Sequence, residues 1–596
     1  MPAVFTSQRI GYASPEDYAG ASDPVQAALN SGKNVVFKPG FSYQVPDAGW
    51  VIPSGTHVTA YGATFVAPAT LANSVFSGDT PTARTPATEY TLTGSSARNA
   101  RSVTLTSDDA ANFSPGDMVL VRDSVYTSGS LRIRRAPNFV ESVSGGTVNL
   151  RFPLYFAVPS TDGKIGKVTP SSGVVWEGGH FDMSAASTSS LHPAGADMNC
   201  IYFQWAKDCL VRDVTASEWP FKVVCFFGGI NSHTEGISGY DPTAVTGGKG
   251  YVIQFEASVA CTAKTSFGRA VRHVVDFTGG CFCSADGVYG VGRTTDTQTC
   301  VQLGHGYETV GHTATNVTAI DMQYGANIGN GTFSWDEASI NGITTHRCDE
   351  GVLVAVSGSS ARLENVVCTQ SVIRGIAVNA GTSVTINNVV LDGQQTVVSN
   401  YALLDCGNAS RLYATNVTIR NPADVSSVRI FGSGDYRLRG LDIVQTGAGT
   451  RGIFADSITG TVSIEGGAIV ANTSGFCSAV WVAGTATGVS VSNMRITSSG
   501  ASVAGGRGIY VEGASSNSVR IQGNEIAGFQ ECVRLDSTDN PVISRNILRP
   551  EYANGNCIRL AGSGIATAYA QFNTYLQTYL NVISDTQGTP ATVVTS

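Results

Sequence analysis

Short apolar strands recur along the second half of the chain, each carrying a small polar residue or glycine near its start. They are ATNVTAI (Asn316), SINGITT (Asn341), LENVVCT (Asn365), INNVVLD (Asn388), ATNVTIR (Asn416), LRGLDIV (Gly440), IEGGAIV (Gly467), VSNMRIT (Asn493), IQGNEIA (Asn524) and ISRNILR (Asn546). The gaps between these anchors are 25, 24, 23, 28, 24, 27, 26, 31 and 22 residues. Between them lie second strands, RGIAVNA, RGIFADS, RGIYVEG and NCIRLAG, with a common rhythm of Gly or Cys, Ile and a further apolar residue. A strand of five residues spans about 17 Å, so one repeat holds two or three strands with their turns, which is one rung of a coil. Stacked rungs pair every strand with its equivalents above and below. The pattern therefore predicts an all-β chain, a right-handed parallel β-helix or solenoid. A propeller needs repeats of about 40 residues, and sandwiches a different strand count. One corner of each rung must need either a left-handed residue, which Asn and Gly tolerate best, or a stacking amide. Asn365, Asn388 and Asn416 are expected at that corner, with the following valines, Val367 among them, pointing inward.

The same pattern divides the chain. SDPVQAALNSGKNVVFKPG (22–40) predicts a helix and the first strand, with Ser22 or Asp23 as N-cap, Pro24 in the first turn and Gly32 at the end. Residues 1–40 form an N-terminal segment whose helix is expected to cap the open edge of the coil, and 41–81 are the first rungs. The rhythm breaks over 82–170, which reads as a small inserted β domain whose Arg132, Arg134 and Arg135 are expected on a solvated surface. It resumes over 171–564 as the main parallel β-helix. In the last segment, 565–596, Phe572, Leu576, Tyr579 and Ile583 keep a 4-3-4 spacing that fits a short helix pairing with copies of itself; an amphipathic terminal strand fits nearly as well.

Composition supports this organisation. Glycine makes up 68 of 596 residues and charged residues only 14%, as in a turn-rich β protein. The net charge of −8 argues against nucleic acid as a partner, leaving room for an acidic glycan in a local basic groove. No apolar run is long enough to span a bilayer, so no membrane insertion is expected, and the start shows no export signal. The 13 cysteines all follow residue 199 with no CxxC, and are expected as buried thiols.

The opening DPVQAALNSGKNVVFKPGFSYQV, the IPSGTHVTAYGATF rung, the GGHFD rung, GYVIQ with RAVRHVVDF, and HG at 305–306 together resemble the pectate-lyase-like β-helix tailspikes of bacteriophages, over most of 15–560. The resemblance implies a homotrimer on the virion tail that binds and cleaves a bacterial surface polysaccharide, O-antigen or capsule. Such proteins usually begin with a particle-binding domain, whereas the first rung here lies within some forty residues of Met1. Attachment through a phage tail or adaptor protein, or a truncated chain, would account for that.

Seven of the eight histidines lie between 180 and 346, which points to the middle third for chemistry. Residues one rung apart in sequence are neighbours about 4.8 Å apart in space. By that logic Lys249, Arg272, His273, Asp286, Tyr289, His305, Tyr307, Glu308, Asp336 and Glu337 are candidates for one groove, with Arg272, His273, His305, Asp286 and Glu308 as the catalytic set and the others binding substrate. In β-elimination of a uronate, Arg272 or Lys249 neutralises the carboxylate, His273 or His305 removes the neighbouring proton, and Tyr289 or Tyr307 protonates the leaving oxygen. In hydrolysis two carboxylates flank the bond; Asp286 with Glu308, Glu256 with Asp286, and Glu308 with Glu337 are about one rung apart. The richness in Arg, His and Tyr favours elimination, while a non-catalytic receptor-binding spike is the third option. Adjacent in a strand, Arg272 and His273 should face opposite ways, leaving Arg272 with His305 in the groove and His273 packed, unless a bulge intervenes. The structural alternatives are an Arg272–Asp276 salt bridge and a stacked turn histidine at 305. His180, His192 and His312 are expected in loops or on the surface. With no HExxH and no GGxGxDxUx repeat, neither metal nor other cofactor is expected.

Overall fold

Rungs of parallel strands, each hydrogen-bonded to the equivalents before and after it, make up nearly the whole computed structural model, with almost no helix. It describes residues 11–595 apart from 80–84, 127–132, 187–197, 247, 293–297, 306–307, 330–334, 356–357, 359, 380–382, 395–400, 423–425, 446–450, 472–477, 499–505, 514–517, 537, 539, 551–554, 563–564, 566, 577–582 and 588–589. By packing, the chain falls into two units, Met1–Ala338 and Ser339–Ser596, and each is a parallel β-solenoid.

In the first unit a short helix, Pro24–Leu29, is N-capped by Asp23, whose carboxylate accepts from the Gln26 amide at 2.9 Å. The same carboxylate accepts from the Trp50 indole, and the Gln26 side chain binds both backbone groups of Val51. The helix is thereby docked against the strand Trp50–Ile52. Between residues 90 and 167 six strands form an antiparallel sheet separate from the rungs. Its apolar side packs on Trp205, Phe227, Ile230, Val259, Cys281 and Val310 of the solenoid. Two of its arginines are not a solvated surface, as the sequence suggested. Arg134 bridges Asp123 and Glu308, and Arg135, 6% exposed, lies over the Phe227 ring. An arginine that buries its stem while its head finds a carboxylate or a ring can occupy such an interface; Arg132 lies outside the described residues.

In the second unit Asn365, Asn388 and Asn416 have φ of 54°, 56° and 53°. Successive amides join there, Asn365 to Asn341 at 2.7 Å and Asn388 to Asn365 at 2.5 Å. Further along, the left-handed residue becomes Gly523, Arg545 and Phe572, and the Asn one place later turns inward. Asn524, Asn546 and Asn573 then form an amide ladder in which each accepts from the backbone of the preceding rung. The two devices solve the same corner, by backbone freedom or by satisfying buried amides. The residues that point inward are Val366, Val389 and Val417. Val367 is half-exposed on the opposite face, because the corner residue shifts the alternation by one place. Val366→Asp is therefore expected to cost several kcal/mol by burying an unpaired charge, while Val367→Asp leaves the melting temperature nearly unchanged; equal melts for the two would refute this facing.

The described residues of the last segment hold strands and no helix. Thr567–Gln571, Thr574–Tyr575, Ile583–Asp585 and Thr592–Thr595 are strands that pair in parallel with the rung before. There the helical spacing gave way to strand pairing, which satisfies backbone groups against an existing edge. Phe572 and Leu576 stay 66% and 52% exposed, and Tyr579 lies outside the described residues. All twelve described cysteines are buried free thiols.

Candidate functional site

In the first unit, one sheet stacks the strands Asn199–Gln204, Lys222–Phe227, Tyr251–Val259, His273–Cys281 and Thr299–Leu303. Phe203, Phe226, Phe255 and Phe277 run through the interior as a ring stack at 5.6 to 5.7 Å. Alternation then turns the residue before each ring outward, and in register these are Tyr202, Cys225, Gln254, Asp276 and, next to Leu303, Gln302. The outward row is nonetheless buried: Asp276 is 0% and Gln254 2% exposed.

Asp276 is the hub. Its Oδ2 accepts from Gln254 Nε2 at 2.8 Å and from the Thr278 hydroxyl, and its Oδ1 lies 3.0 Å from His305 Nδ1. Burial, the largest single influence, raises the pKa of this carboxyl, but the His305 ring, the His273 ring and the Thr278 hydroxyl together outweigh it and hold the carboxyl well below the usual carboxylate range. His305 reaches it because Gly304, at φ 102°, takes a turn that L residues rarely adopt, and because the His305 amide donates to Phe277 O. A carboxylate accepting from Nδ1–H leaves the Nε2 lone pair available as a base.

Two further groups border the pair. His273 stacks on Tyr251 at 4.9 Å and meets His305 edge-on at 5.5 Å. It is 5% exposed, and among the described residues neither ring nitrogen has a hydrogen-bond partner. Burial, opposed by Asp276 and aided by His305 and Arg272, pushes its pKa down to about 3, so it is neutral. The Arg272 guanidinium lies over the same Tyr251 ring at 5.4 Å, with Nε and Nη1 buried and without partners among the described residues. Arg272 and His273 thus border one ring rather than opposite faces. Arg272 precedes the strand, after a left-handed turn at Ala270, so strict alternation does not apply to it. The Arg272–Asp276 salt bridge is replaced by the Asp276–His305 pair.

The other candidates are placed differently. Asp286 belongs to the other sheet, where Thr315 and Asn316 donate to it and lower its pKa. Tyr289, also on that sheet, is 37% exposed and stacks on Phe267 at 5.5 Å. Glu308 is ion-paired with Arg134 at 2.9 Å. The Lys249 ammonium lies over the Phe221 ring. Asp336 pairs in register with Val310, and Glu337 is an exposed left-handed residue. Tyr307 and His192 lie outside the described residues. His312, expected on the surface, is 1% exposed: its Nδ1 accepts from the Cys283 amide and its ring packs on Phe277. Sequence reading passed over Gln254 and Tyr251 and used Asp276 only as a salt-bridge partner. The available signal was one polar residue in the middle of successive apolar strands, VIQF, VVDF and CVQL.

His273, Asp276 and His305 also offer ligand atoms within 4.8 Å of one another, the one set of three among the described residues with metal-binding geometry. The neighbouring Arg272 guanidinium works against a cation there. A cleft of about 220 Å³ under the antiparallel sheet, walled by Phe139, Arg151, Lys207 and Asn231, shares no residue with the cluster.

No family model and no curated protein matches the chain. Among solved structures, the tailspike gp61 of Pseudomonas phage phi297 is similar, with a TM-score of 0.51 at 15% identity over 83% of this chain and 81% of its own. The chain has a phage tailspike's fold. The tailspike gp49 from Pseudomonas phage LKA1 aligns over 83% of this chain and 77% of its own, at 15% identity and a TM-score of 0.45. The gp54 tailspike of Acinetobacter baumannii bacteriophage AP22, in complex with capsular saccharide, aligns over 98% and 79% at 13% identity and 0.41.

Proposed function

We propose that this chain is a phage tailspike that binds a bacterial surface polysaccharide and cleaves its glycosidic bonds by β-elimination, acting at the cell surface as a homotrimer on the tail or an adaptor protein. The observation that carries the reading is the pair of a buried Asp276 and a partly exposed His305 beside an Arg272 guanidinium that has no partner among the described residues. Arg272 neutralises a uronate carboxylate, which acidifies the adjacent C–H. His305 Nε2 takes that proton, the electron pair becomes the new C=C bond, and the C–O bond to the leaving sugar breaks. The imidazolium, stabilised by Asp276, returns the proton to the leaving oxygen. Incubation with host capsule or lipopolysaccharide tests this. Shortened chains with ultraviolet-absorbing unsaturated ends support elimination, and binding without shortening supports a receptor-binding spike.

One observation favours a second reading, hydrolysis. Glu256, 1% exposed, pairs in register with Thr278 and so sits diagonal to Asp276 on the neighbouring rung. Hydrolysis with inversion uses two carboxyl groups that flank the bond. Saturated products and loss of activity in Glu256→Gln would decide for it.

In the same reading the helix Pro24–Leu29 shields the edge of the first rung, and 82–170 is a domain inserted into the solenoid. The exposed Phe572 and Leu576 become subunit contacts. Light scattering is expected to give three times the chain mass, and Leu576→Asp to lower it without loss of the β-sheet signal; a monomer at micromolar concentration rules the trimer out.

A further inference from the structure

The strands RGIAV, RGIFA and RGIYV each open with an arginine that the repeat does not need for its core. In the second unit, register places Arg429, Phe454, Trp481, Tyr510 and Arg534 in one column, one per rung. Their strand neighbours, such as Ile453 and Ala455 or Val480 and Val482, are buried, so alternation turns the column outward. Phe454, Trp481 and Tyr510 follow one another at 5.3 Å, close to the rung spacing.

Arg451 stands beside this row. Its guanidinium lies 4.0 Å from the Phe454 ring centre and 4.1 Å from that of Trp481. The other arginines of the face are paired: Arg429 with Asp456, Arg507 and Arg559 with Glu531, and Arg534 with Asp536. Arg451 alone among them has no hydrogen bond and no carboxylate at ion-pair distance among the described residues. The acids near the rings are committed elsewhere, Glu512 to the Trp481 indole at 3.2 Å and Asp536 to the Tyr510 hydroxyl at 2.9 Å. These bonds fix the ring planes.

A rigid aromatic row flanked by one ring-braced, unpaired guanidinium matches a sugar ring that carries a carboxylate at its edge. The cation supplies a charge-assisted, bidentate contact, and the rings supply flat apolar area at little entropic cost. A contact between copies of the chain fits less well, since the cores of subunit interfaces are depleted of acidic residues. Nucleic acid fits less well too, because neutralising successive phosphates takes several free cations, and the other arginines of this face are already paired with Asp456, Glu531 and Asp536. We propose that Arg451, Phe454 and Trp481 form a binding platform for a carboxylated glycan, with the carboxylate on Arg451 and the sugar ring on Trp481, while Tyr510, 4% exposed with Arg507 and Arg534 over its ring, backs the row. The platform uses no residue of the His305 cluster and does not depend on cleavage there.

Affinity electrophoresis tests it, with polygalacturonate cast in one gel and carboxyl-reduced polygalacturonate in a second. The wild-type protein is expected to be retarded only by the carboxylated polymer. Arg451→Ala and Trp481→Ala should each weaken that retardation at least about tenfold, the loss of roughly one charge-assisted contact or ring face. Their melting temperatures and masses should stay at wild-type values, and Arg437→Ala, an exposed arginine on the other sheet of this unit, should run as wild type, which separates the loss of this guanidinium from a general loss of surface charge. Equal migration of the wild-type protein in both gels, or wild-type retardation of Arg451→Ala, overturns the proposal. So does a lower mass for Arg451→Ala, because the face is then a contact between subunits.

Discussion

Replacing His305 by alanine lowers polysaccharide cleavage by at least about a hundredfold, the low end for a positioned acid or base, with the melting temperature near that of wild type. His305 is partly exposed, at 22% of its side chain, so its loss opens no cavity in the core. Asp276→Asn has the larger effect, up to about ten-thousandfold where a wrong tautomer disables the base. An asparagine at this position can donate to Nδ1, which moves the ring proton to Nε2 and removes the lone pair that attacks carbon-bound hydrogen. Initial rates of new reducing ends, measured on the host polysaccharide, read both variants. If both digest at the wild-type rate, the cluster is structural, and Glu256, Asp336 and Glu337 become the next residues to replace.

The solenoid was legible because its cause is periodic. A corner that needs a left-handed residue recurs at every rung, so Asn365, Asn388 and Asn416 stand out in the sequence as they do in the structure. What the period does not encode is which side of a strand faces out near a turn. Val366 and Val367 are equally apolar, and only the corner conformation decides between them. The same blind spot misjudged Arg272, whose position outside the strand frees it from alternation, and so allows it and His273 to border one Tyr251 ring.

The clustering of Arg272, His273 and His305 could be anticipated from a local excess of unusual residues. Their hub could not be picked out in the same way, since Asp276 looks like any strand carboxylate until register sets it beside Gln254 on one rung and His305 on the next. Glu308 shows the opposite failure. Rung spacing made it a partner for Asp286, but its actual partner, Arg134, comes from a sheet 174 residues away in sequence, and no solenoid period reports on that contact. Nor does the 4-3-4 spacing of the last segment distinguish a free helix from a strand that finds an edge to pair with.

Acid should unfold this protein steeply, starting near the histidine range rather than the carboxylate range. Two buried rings are responsible. His273 is pushed down from 6.5 to about 3, chiefly by burial, with Asp276 opposing and His305 and Arg272 reinforcing. Burial also pushes His312 down to about 4, opposed by a backbone hydrogen bond and by Asp276. Both depressed values mean that between the folded pKa and 6.5 the unfolded chain binds protons that the folded one refuses, so stability is complete above pH 6.5 and falls as the pH drops. Each ring contributes about 1.4 kcal/mol per pH unit across its window, and the two together remove on the order of 5 kcal/mol between pH 6.5 and about 4. The Asp276 carboxyl, also held below its ordinary value, adds in the same direction only below pH 3.8. Urea midpoints measured across this range should decline in step. His273→Phe, which keeps a ring against Tyr251 and removes the titration, should reduce the slope by about half. A midpoint that stays flat from pH 6.5 to about 4, or a slope that His273→Phe leaves unchanged, would show that these histidines are not the neutral, buried groups on which the site geometry rests.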